Sequence, residues 1–405
     1  MSDNTLYVLN PMIDVRAIGA QIFVVPRNHQ NEMLHLFATH ALSEPYGRTL
    51  MQFRKARSKR IKNPSKQVLK LIEAGYLIKS KPSVRGEPPK PKPDLKKKLG
   101  ALHFTANSLF NSPAAVSLKG SDVAVLGLPV ATFPICLGTQ AAPMALRHLS
   151  RRYSWFDICE KGWGIDDPAG KNIIIKDMGD ARIEGKTPSQ VITFILKMIL
   201  RIGRAKPLFL GGDHALTYLI LAAMSRKYGS LGLIHFDAHD DAFYMKVTDF
   251  NHSNPIRNIL ETLPQVKQIL SFGLRKSPRS QIAAAGWENK WVSYDVRQTK
   301  IVAKSSPKAF LKILEAVKGL PCYFTLDVDV ISERELAAQT TTPKGAGLGF
   351  EELCRLIKLI GENTDLVGAD VVEFRPNHDV KDSKVNRGLA KVLVYLIQAL
   401  ANNSK

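Results

Sequence analysis

The sequence predicts an α/β protein whose main part is a three-layer α/β/α sandwich around a mainly parallel sheet, joined to a smaller α+β domain. Two observations support this fold class. Runs such as residues 231–236 and 321–326 are largely apolar, as expected for strands covered on both faces of a parallel sheet. Helical patterns alternate with these runs, and parallel strands require this because each connection must cross back over the sheet.

Residues 1–80 are predicted to form the small basic α+β domain. In chain order, the expected elements are a hairpin over residues 6–26, helices over 31–42 and 65–74, and a strand over 76–78. Gly75 is the expected C-cap of the second helix. Residues 81–100 follow as an extended linker, because prolines lie among lysines there without hydrophobic periodicity.

Residues 101–405 are predicted to form the sandwich. The expected strands are 123–128, 173–176, 208–210, 231–236, 269–272, 291–294, 322–326 and 367–373. The expected helices include 188–201, 308–317 and 349–360. The chain is 405 residues long and 45% hydrophobic, which is sufficient for a sizeable core.

Three short polar clusters directly follow apolar runs. They are Gly211-Gly212-Asp213-His214, Asp237-Ala238-His239-Asp240-Asp241 and Asp327-Val328-Asp329. Buried carboxylates are costly without a partner, and a divalent cation can compensate several at once. Residues i and i+2 of a strand point the same way, so Asp237 and His239 are expected to converge, as are Asp327 and Asp329. Parallel sheets bind ligands beyond the carboxyl ends of their strands, where these clusters are expected.

The donor atoms in these clusters indicate which metal would bind. The six candidate ligands are His214, Asp237, His239, Asp241, Asp327 and Asp329. Four carboxylates and two imidazoles without a thiolate form a hard, oxygen-rich site that favours manganese over zinc. Six ligands are too many for one ion with an open position, but they suit two ions that share bridging carboxylates. The sequence therefore predicts two Mn²⁺ ions per subunit.

From about Ser121 onward, the order of motifs is similar to that of the ureohydrolase family, which includes arginases, agmatinases and formiminoglutamases. The resemblance is carried by residues 121–129, 138–147, the three clusters, 341–343 and 370–376. It implies an arginase-like fold, assembly into homo-oligomers such as trimers or hexamers, and hydrolysis of a guanidino group to urea and an amine.

The resemblance also implies how the ligands are shared between the ions. One manganese would be held by His214, Asp237, Asp241 and Asp327, and the other by Asp237, His239, Asp327 and Asp329. The two ions would lower the pKa of a water that attacks the guanidinium carbon.

Further roles are carried over from the family to single residues. Glu373 resembles the carboxylate that binds the guanidinium nitrogens, a strong and oriented contact. Asp241 is the expected proton carrier to the leaving amine. His252 matches a histidine at the pocket mouth that can bind substrate and shuttle protons, because imidazole titrates near neutral pH. His235, in contrast, is expected to be a core or supporting histidine rather than a ligand.

The expected substrate follows from two further resemblances. Residues 242–251 lack the asparagine- and serine-rich loop with which arginases hold free arginine. Residues 69–78 resemble the end of a PqqD-like peptide-recognition domain, and the element order of the small domain is similar to winged-helix folds. These resemblances imply conversion of arginine to ornithine within a ribosomally made precursor peptide. The alternatives are agmatine or another small guanidino compound, or a non-catalytic peptide- or nucleic-acid-binding protein on a ureohydrolase scaffold.

The charge of the chain favours an anionic partner. The net charge is +21 at pH 7, and the first 100 residues contribute +12 of it through 19 Lys and Arg against 7 Asp and Glu. Long-range electrostatic steering depends on the sign of the partner, so the basic region should attract an acidic leader peptide rather than a guanidinium group. The basic cluster at 54–62 is interpreted first as a solvated face or loop, then as a contact for an anionic peptide, and last as a contact for nucleic acid. Aromatic residues are not interleaved with it, which disfavours single-stranded nucleic acid.

The sequence has no membrane or secretion signal of its own. No apolar run is long enough to span a bilayer, and the N-terminus lacks a secretory pattern, which predicts a cytoplasmic protein without a membrane partner. The four cysteines are expected to be reduced, structural thiols.

Overall fold

The computed structural model of the protein describes only part of the chain. It describes the strands at 5–9, 13–18, 21–26, 41–42, 58–61, 77–80 and 102–103, and residues 108–112, 120–132, 136, 138–150, 173–183, 186–243, 251–305, 307–336, 340, 345–376 and 383–402. The chain divides into two compact units, one of residues 1–96 with 184–186 and one of 97–183 with 187–405.

The described strands of the first unit form two small antiparallel sheets. Its strands are β1 (Thr5–Leu9), β2 (Ile13–Ile18), β3 (Gln21–Pro26), β4 (Ala41–Leu42), β5 (Ser58–Ile61) and β6 (Leu77–Ser80). The sheet orders are β5-β1-β6 and β2-β3-β4. The β2–β3 pair forms a hairpin over residues 13–26 of the expected 6–26, whereas β1 lies in the other sheet and pairs with β5 and β6. Strand β6 overlaps the expected strand at 76–78 in Leu77 and Ile78 and continues to Ser80.

The predicted helix over 31–42 is wrong at its end. Ala41 and Leu42 form strand β4, because their backbones pair with Phe23 and Ile22 of β3. The remainder of that helix, the helix over 65–74, Gly75 and the linker lie outside the described residues. The domain boundaries and the winged-helix likeness therefore stay predictions.

The second unit contains a nine-stranded sheet within the described residues. Its strands are β7 (Leu102–His103), β8 (Val123–Leu128), β9 (Ile175–Ala181), β10 (Lys206–Gly211), β11 (Leu231–Phe236), β12 (Val266–Leu274), β13 (Trp291–Asp295), β14 (Pro321–Asp327) and β15 (Asp365–Val372). The order is β13-β12-β11-β14-β15-β10-β8-β9-β7. Strands β8 to β15 are mutually parallel, and β7 pairs antiparallel with β9.

Helices connect these strands. They are α1 (Ala142–Ser150), α2 (Pro188–Arg201), α3 (Ala215–Tyr228), α4 (Pro255–Thr262), α5 (Arg279–Ala285), α6 (Val296–Ser305), α7 (Pro307–Leu314), α8 (Glu333–Leu336), α9 (Phe350–Asn363) and α10 (Ser383–Asn402). Helix α2 has its predicted bounds, since Thr187 and Gln190 form a capping box at its start. None of the helices among the described residues combines the length and apolar character needed to cross a membrane.

The sheet lies between two hydrophobic cores. Along β11, Leu233 packs into the core that contains Leu219 of α3, whereas Ile234 packs into the core that contains Leu356 of α9. Successive side chains of a strand point to opposite faces, so both faces of the sheet are covered by helices. The three-layer α/β/α sandwich is thereby confirmed.

Strand β9 begins at Ile175, two residues after the start of its predicted range of 173–176, and extends five residues beyond the predicted end. It continues through Asp177 and Asp180, which are polar and interrupt the apolar pattern. Both carboxylates bind Arg147 of α1, and this buried cation compensates for their charge. The strand can therefore continue through residues that, in the sequence, look like its end.

Candidate metal centre

The site is built on the four central strands of the sheet, which are neighbours in the order β11-β14-β15-β10. Asp237 follows β11, Asp327 ends β14, Glu373 follows β15, and His214 lies three residues after β10. Because the strands are parallel, these carboxyl ends lie at one edge of the sheet. The three clusters are brought together there, as the sequence predicted.

Three carboxylates surround one nitrogen of His214. Its Nδ1 atom lies 2.8 Å from Asp241 Oδ2, 3.0 Å from Asp237 Oδ2 and 3.6 Å from Asp327 Oδ2. All four side chains are buried. They are the residues expected to hold the first ion.

A second group surrounds His239. Its Nδ1 atom lies 2.9 Å from Asp329 Oδ2 and 3.6 Å from Asp237 Oδ1. One ligand atom from each of these three residues falls within 4.8 Å of the others, a spacing that can hold a metal ion. Asp237 thus presents Oδ2 to His214 and Oδ1 to His239, the arrangement expected of a bridging carboxylate.

Asp237 converges with His239, and Asp327 with Asp329, for a different reason from the one predicted. The prediction relied on strand alternation, but Asp237 lies just beyond β11, and Asp327 is followed by a 3₁₀ turn. In each case the first carboxylate folds back on the chain. Asp237 Oδ1 accepts the backbone N–H of His239 at 2.7 Å, and Asp327 Oδ1 accepts that of Asp329 at 2.8 Å. These Asx turns bring the paired side chains together.

Burial and mutual repulsion act on the carboxylates. Burial raises the pKa of Asp241 to about 7, and repulsion from Asp237 adds to the rise. Burial also raises the pKa of Asp327 well above its usual range, with added repulsion from Asp329 and Asp237. Carboxylates packed this closely require positive charge between them.

In the absence of other cations, the histidines supply that charge. Burial lowers the pKa of His214, but hydrogen bonds to Asp237 and Asp241 outweigh it and raise the pKa well above its usual value. The same balance, with Asp237 and Asp329, raises the pKa of His239 to about 11. Burial opposes ionisation of Asp237, yet its histidine partners hold its pKa well below the usual range. Hard oxygen and imidazole donors around an acidic cluster fit a pair of divalent cations such as Mn²⁺.

Two residues of the site have strained backbones. Asp241 and Glu373 have φ values of 47° and 62°, in the left-handed region that side chains rarely adopt. The backbone oxygen of Asp241 accepts hydrogen bonds from Ile256 and Arg257, and the Glu373 N–H donates to Gly212 O at 2.8 Å. Such strain persists only where the surroundings enforce it, and it is common at functional sites.

Glu373 lies beside the first group of ligands. Its Oε1 atom accepts the backbone N–H of His214 at 2.8 Å and lies 3.9 Å from Cys136 Sγ. The side chain is buried. Glu373 therefore combines a fixed carboxylate with a position next to the proposed reaction centre.

His252 lies in the turn before α4 and is half-buried. Burial lowers its pKa to about 4, and repulsion from His214 and His239 contributes. Because the charges of His214 and His239, the two candidate ligands, lower its pKa, His252 lies near them. The low pKa keeps its ring neutral. The structure thus brings the predicted shuttle residue into the neighbourhood of the ligands.

A network behind His214 was missed by the sequence analysis. His214 Nε2 lies 3.1 Å from Thr325 Oγ1, which donates to Asp370 Oδ1 at 2.6 Å. Thr217 and Tyr323 donate to the other oxygen of Asp370. Because Thr325 gives its proton to the carboxylate, it accepts one from His214 Nε2, so the Nδ1 lone pair of the neutral ring would be available to a metal ion. The signal in the sequence was an aspartate inside the apolar run of β15.

The cysteines take no visible part in a ligand set. Cys136, Cys322 and Cys354 are buried, free thiols, and Cys159 lies outside the described residues.

Comparisons with known proteins identify the family that the chain resembles. Residues 121–398 match the model of the Arginase family. The chain is 30% identical over 270 residues to an agmatinase of Chromobacterium violaceum, covering 65% of this chain and 79% of that protein. It is 27% identical over 254 residues to a mitochondrial arginase of Medicago truncatula, covering 60% and 72%. A crystal structure of a hypothetical agmatinase from Burkholderia thailandensis superposes with a TM-score of 0.60 at 27% identity, covering 74% and 92%.

Proposed function

The chain belongs to the arginase family, a group of hydrolases that act on guanidino groups, and we propose that it cleaves such a group at a pair of manganese ions and releases urea. The observation that carries this proposal is Asp237, whose two carboxylate oxygens face His214 and His239 separately. A carboxylate shared in this way suits two ions better than one.

The ligands divide into two sets around the shared carboxylates. His214, Asp237, Asp241 and Asp327 would hold one ion, and Asp237, His239, Asp327 and Asp329 would hold the other. When bound, the ions supply Lewis acidity that lowers the pKa of water and stabilises developing negative charge.

The remaining steps belong to side chains of this chain. Glu373 binds and orients the guanidinium group, because a fixed carboxylate facing a planar cation gives a strong, directional contact. Asp241, whose Oδ2 lies 2.8 Å from His214 Nδ1, can take up a proton and pass it to the leaving amine. The pKa of His252, about 4, removes the near-neutral titration on which its shuttle role was predicted. Its neutral ring can relay a proton instead by accepting one at one nitrogen and releasing one from the other.

Metal analysis combined with a urea-release assay tests the proposal. We expect the wild-type chain to bind two manganese ions and to release urea from at least one guanidino compound. Asp237→Asn should lose metal and activity together. Asp240→Asn is the matched control, because Asp240 lies in the same motif and its Oδ1 accepts the Ala242 N–H instead of facing the ligands. Less than one metal per chain and no urea from any guanidine would refute the proposal.

For the substrate, our first proposal is an arginine residue within a precursor peptide, which would become ornithine. The basic residues before position 100 support this, since they would attract an acidic leader. The test is mass spectrometry of an arginine-containing peptide with such a leader. Replacing Lys59 and Arg60 by glutamate should slow its modification, whereas replacing the exposed Lys308 and Lys312 of α7 should not.

Agmatine is the second candidate substrate. The similarity to proteins named agmatinase favours it. Urea release from agmatine with no conversion of any peptide would select this candidate, and the charge changes at Lys59 and Arg60 would then leave the rate unaltered.

We further propose that the protein acts in the cytoplasm as a homo-oligomer, a trimer or hexamer as the family resemblance implies. Light scattering of the purified protein at several concentrations tests the assembly, and a monomer at all of them would contradict it.

A further inference from the structure

A chain of buried hydrogen bonds leads from strand β13 to the shared carboxylate. Trp291 Nε1 donates to Ser271 Oγ at 2.8 Å, Ser271 Oγ lies 2.9 Å from His235 Nδ1, and His235 Nε2 lies 3.0 Å from Asp237 Oδ2. All four residues are buried. Trp291, Ser271 and His235 lie on the adjacent strands β13, β12 and β11, and Asp237 directly follows β11. His235 and Ser271 are register partners in β11 and β12.

The chemistry of the donors sets the direction of every proton in this chain. The indole N–H of Trp291 can only donate, so Ser271 Oγ accepts from it. Asp237 Oδ2 is a carboxylate oxygen and can only accept, so His235 Nε2 carries the proton of that bond. Ser271 Oγ can accept from Trp291 and donate its own hydroxyl proton to His235 Nδ1, whose lone pair is free in the neutral ring. A neutral imidazole that accepts at Nδ1 carries its proton at Nε2. His235 therefore donates from Nε2 to Asp237 Oδ2.

This arrangement of protons argues against the interpretation that His235 is a metal ligand. Its ring nitrogen, His214 and Asp237 lie close enough together to form a metal-binding group. A ligand nitrogen needs a free lone pair, however, and Nε2 of His235 uses its position for an N–H.

We propose that Trp291, Ser271 and His235 form a positioning chain that fixes the orientation of the Asp237 carboxylate. In this orientation one carboxylate oxygen faces His214 and the other faces His239. His235 is a positioning residue and not a ligand. The inference rests on the proposed metal-binding role of Asp237.

The first test measures the proton order directly. Histidine side chains of the full-length chain are labelled with ¹⁵N and observed by NMR in the presence of chelator, with His235→Gln used to assign the signal. We expect a protonated Nε2 and an unprotonated Nδ1, and Ser271→Ala should shift the Nδ1 signal. A proton on Nδ1 of His235 would overturn the proposal.

The second test measures manganese affinity by calorimetric titration. His235→Phe should weaken binding about 10- to 100-fold, as loss of a residue that orients a ligand usually does. His235→Gln should retain most of the affinity, because its amide N–H can replace the Nε2–H donor. Ser271→Ala and Trp291→Phe should give smaller losses in that order. Thermal melts of each chelated variant show whether the fold is intact.

The outcomes separate this inference from the proposed function. A wild-type chain that binds no manganese would overturn both. Two ions bound by the wild-type chain with unchanged affinity in His235→Phe would overturn the positioning chain alone. A fall from two ions to one in His235→Gln would show that His235 is a ligand.

Discussion

Arg147 and Asp177 form a bidentate ion pair inside the protein, with Nε 2.8 Å from Oδ2 and Nη2 2.9 Å from Oδ1. Arg147 also binds Asp180 Oδ1 at 2.5 Å and the backbone oxygen of Gly179 at 3.0 Å. Neither member of the pair has more than 2% exposure, so water cannot replace a lost partner. The pair connects α1 to β9, and the single guanidinium binds both carboxylates.

Removing the cation should destabilise the fold strongly. Arg147→Met leaves Asp177 buried without compensation, and breaking one side of such a pair costs about 3–5 kcal/mol. Urea denaturation measures the change in the free energy of unfolding. Arg147→Lys keeps the charge but not the two-pronged geometry, so its loss should be smaller. Equal urea midpoints of unfolding for Arg147→Met and the wild-type chain would contradict the predicted loss of stability.

Thr325 should control the affinity of the site for manganese without touching the metal. Thr325→Val removes the acceptor for His214 Nε2 and a donor to Asp370. Loss of such an orienting contact usually weakens metal binding about 10- to 100-fold. Thr325→Ser keeps the hydroxyl and should bind manganese nearly as well as the wild-type chain. The prediction fails if the two variants have the same dissociation constant.

The chelated protein should lose stability as pH rises above about 6.5, the usual pKa of histidine. The folded chain raises the pKa of His239 to about 11, so it binds more protons than the unfolded chain between these values. The raised pKa of Asp241, about 7, acts in the same direction at the lower end of this range. The stabilisation by His239 is complete at pH values below its pKa in the unfolded chain. It is lost as the pH rises toward its pKa in the folded chain.

Thermal melts across this pH range, with chelator and with manganese, measure the effect. The melting temperature of the chelated chain should fall with rising pH, whereas manganese should protect the protein more at higher pH because it replaces the displaced protons. A chelated melting temperature that is constant or rises above about pH 6.5 would contradict the assigned shifts.

Gly212 should not tolerate a side chain. A Cβ atom there would lie 1.7 Å from the backbone oxygen of Val130, and backbone cannot move aside as a flexible side chain can. Gly212→Ala should therefore displace the loop that carries His214 and reduce both manganese content and stability. Gly229→Ala is the control, since its Cβ would meet nothing within 4 Å and costs only the strain of a φ of 72°. Full metal content in Gly212→Ala would contradict the prediction.

The strands and the ligand clusters could be predicted because their signals are local. An apolar run such as 231–236 predicts a buried strand from its own residues, and Asp237 directly after it marks the end. The bounds of this strand and of β8 agree with the prediction at both ends. Convergence of the clusters followed from one rule, that parallel strands carry their carboxyl ends to the same edge.

The contacts that connect distant segments could not be predicted in this way. Asp177 and Asp180 look like the end of a strand until Arg147, which lies on a separate helix, is placed against them. Thr325 and Asp370 are ordinary strand residues until the sheet brings β14 and β15 together behind His214. The Asx turns after Asp237 and Asp327 were missed because two residues at a spacing of two can converge through either a strand or a turn.

The use of four neighbouring strands for one site has a consequence for biogenesis. Strands β10 and β15 are adjacent in space, yet β10 is made long before β15 emerges from the ribosome. A nascent chain that stops before β14 has neither Asp327 nor Asp329 and cannot retain a metal pair. Uptake of the proposed ions would therefore be a late event in synthesis, after β14 has been made.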